Sequence, residues 1–424
     1  MLQIFLIMTF HGQSNYGQQL QNYALSEKIK ELGYLPCTLR WDFNYFNKNY
    51  IGQHKNIKKF VNKYIHSSDM IFSRKDLKKA VKQSIGVIVG GDQVFRNWWS
   101  TLEYQPIFRF LGDFVSGKKI LASYAASFGF DEFKGSKYTN IECRKLLSRF
   151  DKLSVREKSG TKILRNTFGV EGVEVLDPVF FIPAEKYEEV ISGDVCLTEH
   201  DGDYIAYMCL GKNMIDAVIL ERLKNENLLN INFNENGEYN TIEQWLYNIK
   251  NSKFVITNSF HCAAFAIIFK RPFIVISTEN NGNDRINNML GNLNLEQCKR
   301  DSINEIDRHD LDMNINWENV FSRLKDRLLV SENFLKNVLE LKPTYKKPYI
   351  NWPLDGIRAR YETAYSKGIK YERRLNINFK HRLLRIIIKG MVSKDRYIKL
   401  KHDYILFFQD SKSSVIKLLG RFYN

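Results

Sequence analysis

The densest run of reactive residue types is Phe254-Val-Ile-Thr257-Asn258-Ser259-Phe260-His261, followed by the apolar segment Cys262–Phe269 and then Arg271-Pro-Phe-Ile-Val-Ile276. An apolar strand runs into three good helix-capping residues, an apolar helix follows, and a second strand comes after it. This order places His261 in the first helical turn at the carboxyl end of a strand, facing a cleft. Free backbone N–H groups at a helix start favour an anion, and an imidazole there can exchange protons with a bound substrate. The same pattern also suits a histidine that merely caps or packs on the helix end.

Other motifs fail on chemical grounds. Gly112-Asp-Phe-Val-Ser-Gly117-Lys118 matches the front of a phosphate-binding loop, but Lys119 stands where a magnesium-holding hydroxyl belongs, and a strand follows where a helix should. Asp201-Gly-Asp203 and Asp310-Leu-Asp312 have the acid spacing of some metal-dependent sugar transferases, yet they read as solvated turns. No G-x-G-x-x-G follows a strand, which disfavours dinucleotide oxidoreductases. The cysteines Cys37, Cys143, Cys196, Cys209, Cys262 and Cys298 are scattered, with no C-x-x-C pair and no neighbouring His at ligand spacing. A reduced chain with no metal and no cofactor is expected.

The elements that must position these residues follow from the apolar rhythm. Strands are predicted at Leu2–Met8, Ile85–Val89, Lys119–Tyr124, Lys152–Val155 and Val173–Leu176, with helices at Gln18–Leu32 and Glu157–Asn166. After a polar interval from Pro183 to Asp203, a second series runs through Tyr204–Cys209, Leu229–Asn232, Lys253–Thr257 and Phe273–Ser277. Strands alternating with helices indicate an α/β fold with mainly parallel sheets. Two such halves imply two Rossmann-like domains facing across a cleft, here 1–185 and 186–342. Ligands in such folds bind beyond the carboxyl ends of the strands. The chain of 424 residues, 44% hydrophobic and 26% charged, has ample length for more than one core. Its first ten residues read as a buried strand and not as a secretion signal, so a cytoplasmic location is expected.

Several segments together resemble the polysaccharide pyruvyl transferase family. They are Asn15-Tyr-Gly-Gln-Gln-Leu-Gln-Asn-Tyr-Ala-Leu25, Val89-Gly-Gly-Asp92-Gln93-Val94, Ser154-Val-Arg156-Glu157-Lys-Ser-Gly160, Asp177-Pro178 and Thr257-Asn-Ser-Phe-His261. The resemblance implies a fold similar to the B-type glycosyltransferases. It also implies transfer of pyruvate from phosphoenolpyruvate to a sugar of a bacterial surface glycan as a ketal. His261 matches the family's catalytic His and Arg156 its R-E motif. Arg285, in Gly282-Asn-Asp-Arg285, is the nearest match to a basic residue expected some twenty positions further on. Some members carry Arg two residues before the catalytic His, where this chain has Ser259.

On this reading Arg285, Asn258 and Ser259 serve the anionic donor, since guanidinium groups bind carboxylate and phosphate through paired hydrogen bonds. Asp92, Gln93, Asn15 and Tyr16 serve the acceptor, a free or lipid-linked sugar, although turn and cap formation also accounts for them. A nucleotide-sugar glycosyltransferase on the same scaffold is the alternative enzyme, and a binding protein that uses its basic tail is the alternative of another class.

The formal net charge of +16 is concentrated at one end. Residues 343–424 hold 19 Lys+Arg against 6 Asp+Glu, leaving only +3 for the body, so no nucleic-acid groove is expected there. Within this basic helical extension, Phe379, Leu383, Leu384, Ile387, Ile388, Met391 and Val392 recur at helical spacing, with Lys380, Arg382, Arg385 and Lys389 on or beside the other face. Such a helix either lies on an anionic membrane, making the protein peripheral at the inner face of the cell membrane, or packs its apolar face on the body.

Overall fold

Four short apolar runs of the first half assemble into a parallel sheet: β1 (Ile4–Met8), β2 (Leu35–Thr38), β3 (Gly86–Gly90) and β4 (Ile120–Tyr124), in the order β2-β1-β3-β4. β5 (Ser154–Val155) and β6 (Val173–Glu174) form a parallel pair that continues this layer through bridges from Ala122 to Lys152 and from Ala126 to Val155. Every residue of β3 and β4 is buried, as expected where helices cover both faces of a parallel sheet. The helices of this half are α1 (Tyr16–Glu31), α2 (Lys55–Tyr64), α3 (Arg74–Gln83), α4 (Pro106–Phe110), α5 (Lys137–Leu147) and α6 (Lys158–Ile163). The computed structural model describes residues 3–10, 15–40, 55–69, 71, 74–97, 106–135, 137–194, 197–200, 203–210, 214–234, 236–277, 283–343 and 347–348.

The second sheet, also parallel, takes β7 (Ile205–Met208), β8 (Leu228–Asn230), β9 (Phe254–Thr257), β10 (Phe273–Ile276) and β11 (Lys299–Arg300) in the order β11-β10-β9-β7-β8. Its helices are α7 (Ala184–Ser192), α8 (Met214–Arg222), α9 (Ile242–Asn251), α10 (Phe260–Ile268), α11 (Asn283–Leu293) and α12 (Trp317–Leu339). Two parallel sheets with α/β alternation are present, as the sequence predicts. The interval from Pro183 differs from expectation, because it contains α7. Pro183 is the N-cap, and Tyr187, Val190 and Ile191 form a buried stripe at helical spacing beneath an exposed face of Glu and Lys.

One apolar cluster spans both lobes, from Phe5, Ile88 and Ile120 to Trp245, Val255 and Phe265. Tyr16 at the start of α1 stacks on Trp245 of α9 at 5.2 Å, and its hydroxyl donates to the carbonyls of Asn232 (2.9 Å) and Asn240 (3.2 Å). Tyr187 of α7 meets Phe265 of α10 edge-on at 4.8 Å. The long helix α12 returns to the first lobe, where Ser331 Oγ accepts the Leu176 N–H and Phe334 packs on Tyr124. Both sheets lie within one compact unit, residues 1–350, and no helix among the described residues is long and apolar enough to cross a membrane. The predicted amphipathic helix of the basic extension falls outside the described residues.

Candidate active site between the two lobes

The strand β9 ends in a hydrogen-bonded corner that aims the residues after it. Thr257 Oγ1 donates to the Met208 carbonyl (2.6 Å) and accepts the Ser259 N–H (3.0 Å). Asn258 exchanges two hydrogen bonds with the backbone of Leu210, and Ser259 Oγ caps α10 by accepting from Cys262 N. Asn258 and Ser259 are therefore engaged in building the corner. They hold Phe260 and His261 in the first turn of α10, at the carboxyl edge of the sheet.

The other half of the site comes from the first lobe, again from strand ends. Gly90 ends β3 and Gly91 follows it, with φ of +151° and +91°, a conformation that favours glycine, and a side chain at Gly90 would strike the Tyr124 carbonyl. This turn delivers Asp92. Arg156 follows β5 and Asp177 follows β6. Arg156 Nη1 donates to Asp177 Oδ2, Nη2 lies 3.6 Å from Asp92 Oδ1, and Nε lies 4.0 Å from Glu157 Oε2. His261 Nε2 reaches across from the second lobe to within 3.5 Å of the same Asp177 Oδ2.

Phe260 joins the cations. The Arg156 guanidinium lies 4.5 Å from its ring centroid and that of Arg285, in the first turn of α11, lies 6.0 Å away. Each such contact is worth about 0.5–2 kcal/mol, depending on desolvation. Arg156, Asp177, Phe260, Arg285, Asn288 and Arg327 line a cavity between the lobes. Arg327, Asn288 and Asn292, all lining it, bind Glu174. Arg156 Nε and Nη2 and Arg285 Nε are buried and make no hydrogen bond, the two on Arg156 facing Glu157 and Asp92 at longer range.

The electrostatics are those of a buried, mixed-charge cluster. Burial alone would raise the Asp177 carboxyl, but Arg156 and His261 hold it below the usual carboxylate range. Burial raises Glu157 despite Arg156, Arg285 and the Ser127 hydroxyl, which donates to it. Burial, and then the neighbouring charge of Arg156, push Arg285 down to about 10.

The structure thus brings together His261, Arg156, Arg285 and Asp92. Gln93 Oε1 accepts from Arg96 Nη1 (2.7 Å) beside Gly129, Asn15 caps α1 by accepting from Gln18 N, and Tyr16 joins the lobes. Sequence reasoning left Asp177, Glu157 and Phe260 without roles. The signal for Asp177 was an acid just past the predicted strand Val173–Leu176, near the carboxyl end of a strand like His261.

Residues 15–280 match the sequence profile of the polysaccharide pyruvyl transferases, well over half of the chain. The chain belongs to the polysaccharide pyruvyl transferase family. The match includes Arg156, Asp177 and His261, while Arg285 lies just beyond it. Nothing among curated proteins matches this pyruvyl transferase family member at a significant level. Among solved structures it is similar to a UDP-N-acetylglucosamine 2-epimerase from Rickettsia bellii (10% identity, TM-score 0.48, covering 80% of this chain and 96% of that one). It is also similar to a putative UDP-N-acetylglucosamine 2-epimerase from Listeria monocytogenes (14%, 0.41, 87% and 98%) and to the E. coli ADP-heptose lps heptosyltransferase II (10%, 0.33, 78% and 100%).

Proposed function

We propose that this protein transfers the pyruvyl group of phosphoenolpyruvate to two hydroxyls of a sugar, forming a ketal in a surface polysaccharide or its lipid-linked precursor. The observation that carries this reading is that Arg156 and Arg285 both line one cavity beside the Phe260 ring, with the His261 imidazole 3.5 Å from Asp177, which also lines it. The donor has a carboxylate and a phosphate, and guanidinium groups are suited to bind such anionic groups.

Protonation of the donor's methylene carbon makes C2 electrophilic. A sugar hydroxyl adds to C2, phosphate departs with the C–O bond electrons, and a second hydroxyl closes the ketal. His261 is the proton carrier, and Arg156 and Arg285 bind the departing anion. The basic extension is proposed to bring this site to acceptors on an anionic membrane. Phosphate release from phosphoenolpyruvate with candidate lipid-linked sugars tests the reaction. Thermal stabilisation by phosphoenolpyruvate and not by a nucleotide panel supports the donor, and the opposite outcome overturns it.

A further inference from the structure

Two groups assigned to the chemistry come from different lobes, and a single carboxylate oxygen contacts both. Asp177 Oδ2 accepts the hydrogen bond of Arg156 Nη1 and lies 3.5 Å from His261 Nε2. Its other oxygen, Oδ1, accepts the N–H of Val179 (3.1 Å), which fixes the carboxylate at the head of a short helical turn, Pro178–Phe180. The carboxylate is fully buried, and among the described residues no other acid contacts both Arg156 and His261. On the opposite side of the ring, Nδ1 and Cγ lie against Gly17.

We infer that Asp177 is a positioning residue that binds the Arg156 guanidinium through Nη1 and faces the buried, otherwise unpartnered His261 Nε2 at 3.5 Å, keeping the two groups in one fixed relationship across the lobe boundary. A buried carboxylate beside Nε2 restrains the ring's orientation and favours the tautomer that carries its proton on Nε2. It also supplies a fixed negative charge where imidazolium forms. The inference rests on the proposed pyruvyl transfer for its kinetic consequence but not for its geometry.

The test is a double-mutant cycle on the full chain with Asp177→Asn, His261→Ala and the pair. The amide of Asp177→Asn keeps an oxygen for Val179 N–H, so the turn persists; if that variant fails to fold, Asp177→Ser, whose hydroxyl also caps, takes its place. Loss of about tenfold or more in kcat from Asp177→Asn in the wild-type background, but no further loss in the His261→Ala background, is the expected result. Donor KM should rise in both backgrounds, because Arg156 is released in both. An equal loss of kcat in both backgrounds, or none in either, overturns the inference.

Should the wild type release no phosphate from phosphoenolpyruvate, the proposed reaction fails and the inference is judged separately, by carbethoxylation of His261 with diethyl pyrocarbonate followed by peptide mass spectrometry. A several-fold faster modification in Asp177→Asn supports the bracket, and an unchanged rate overturns it.

Discussion

His261 occupies the space that a side chain at Gly17 would fill. A methyl group on Gly17 would lie 2.5 Å from His261 Cβ and closer still to Cγ and Nδ1. Gly17 sits in the first turn of α1, where alanine suits a helix better than glycine by up to about 1 kcal/mol. Because His261 Cβ is tied to the α10 backbone, Gly17→Ala is expected to force α1 and α10 apart as well as displace the imidazole, an overpacking that costs about 1–3 kcal/mol. Turnover should fall by about tenfold or more and the melting temperature should fall with it. Unchanged turnover would show that the contact has no bearing on the chemistry.

His261→Ala should leave donor binding largely intact while turnover falls by about 10²–10⁴-fold, the usual contribution of a positioned acid or base. Steady-state kcat and calorimetric affinity for phosphoenolpyruvate decide it together.

Arg156→Lys should raise donor KM. A lysine offers a point charge in place of the planar fork that now reaches Asp177, Asp92 and the ring of Phe260. An unaltered KM would remove Arg156 from the donor site.

Arg285 is expected to oppose folding while serving the ligand. With its value pushed down to about 10, the folded state binds this proton less tightly than the unfolded chain does. The destabilising contribution is therefore present at neutral pH and is relieved as pH rises past the folded value. Arg285→Gln should accordingly raise the melting temperature at neutral pH and weaken donor binding. A lower melting temperature would contradict the assignment of strain to this cation.

Asp177 works in the other direction. Its carboxyl is held below the ordinary range, so its contribution to stability is complete above the unfolded value and is lost as pH falls through the folded one. The stability gap between wild type and Asp177→Asn should narrow as pH is lowered from about 7 toward 3 in urea titrations.

The α/β rhythm and the two lobes were legible because parallel strands buried on both faces are written as continuous apolar runs, as in Gly86–Gly90 and Ile120–Tyr124. Leu35–Thr38 escaped because it is short and contains Pro36, and Lys299–Arg300 because two polar residues carry no period. The stretch after Pro183 looked like a linker because its charged residues outnumber the three that face inward. At the site, His261 stood out by its place at a strand end, and Arg156 through the family resemblance. Asn258 and Ser259 have the right types for ligand binding, but those types also build strand-to-helix corners, and here their hydrogen bonds go to Leu210 and Cys262. Tyr16 could not be understood from its neighbours in sequence, since its partners lie more than 200 residues away.

The apolar cluster shared by the lobes has a thermodynamic consequence. Domains with separate cores can melt one after the other, but here the side chains that seal the first sheet also seal the second, through Tyr16, Trp245, Tyr187 and Phe265. Heat should therefore dismantle both halves in a single calorimetric transition. Truncating Trp245, a fully buried side chain of α9, would loosen α1 and the strands beneath it as much as the lobe in which it resides.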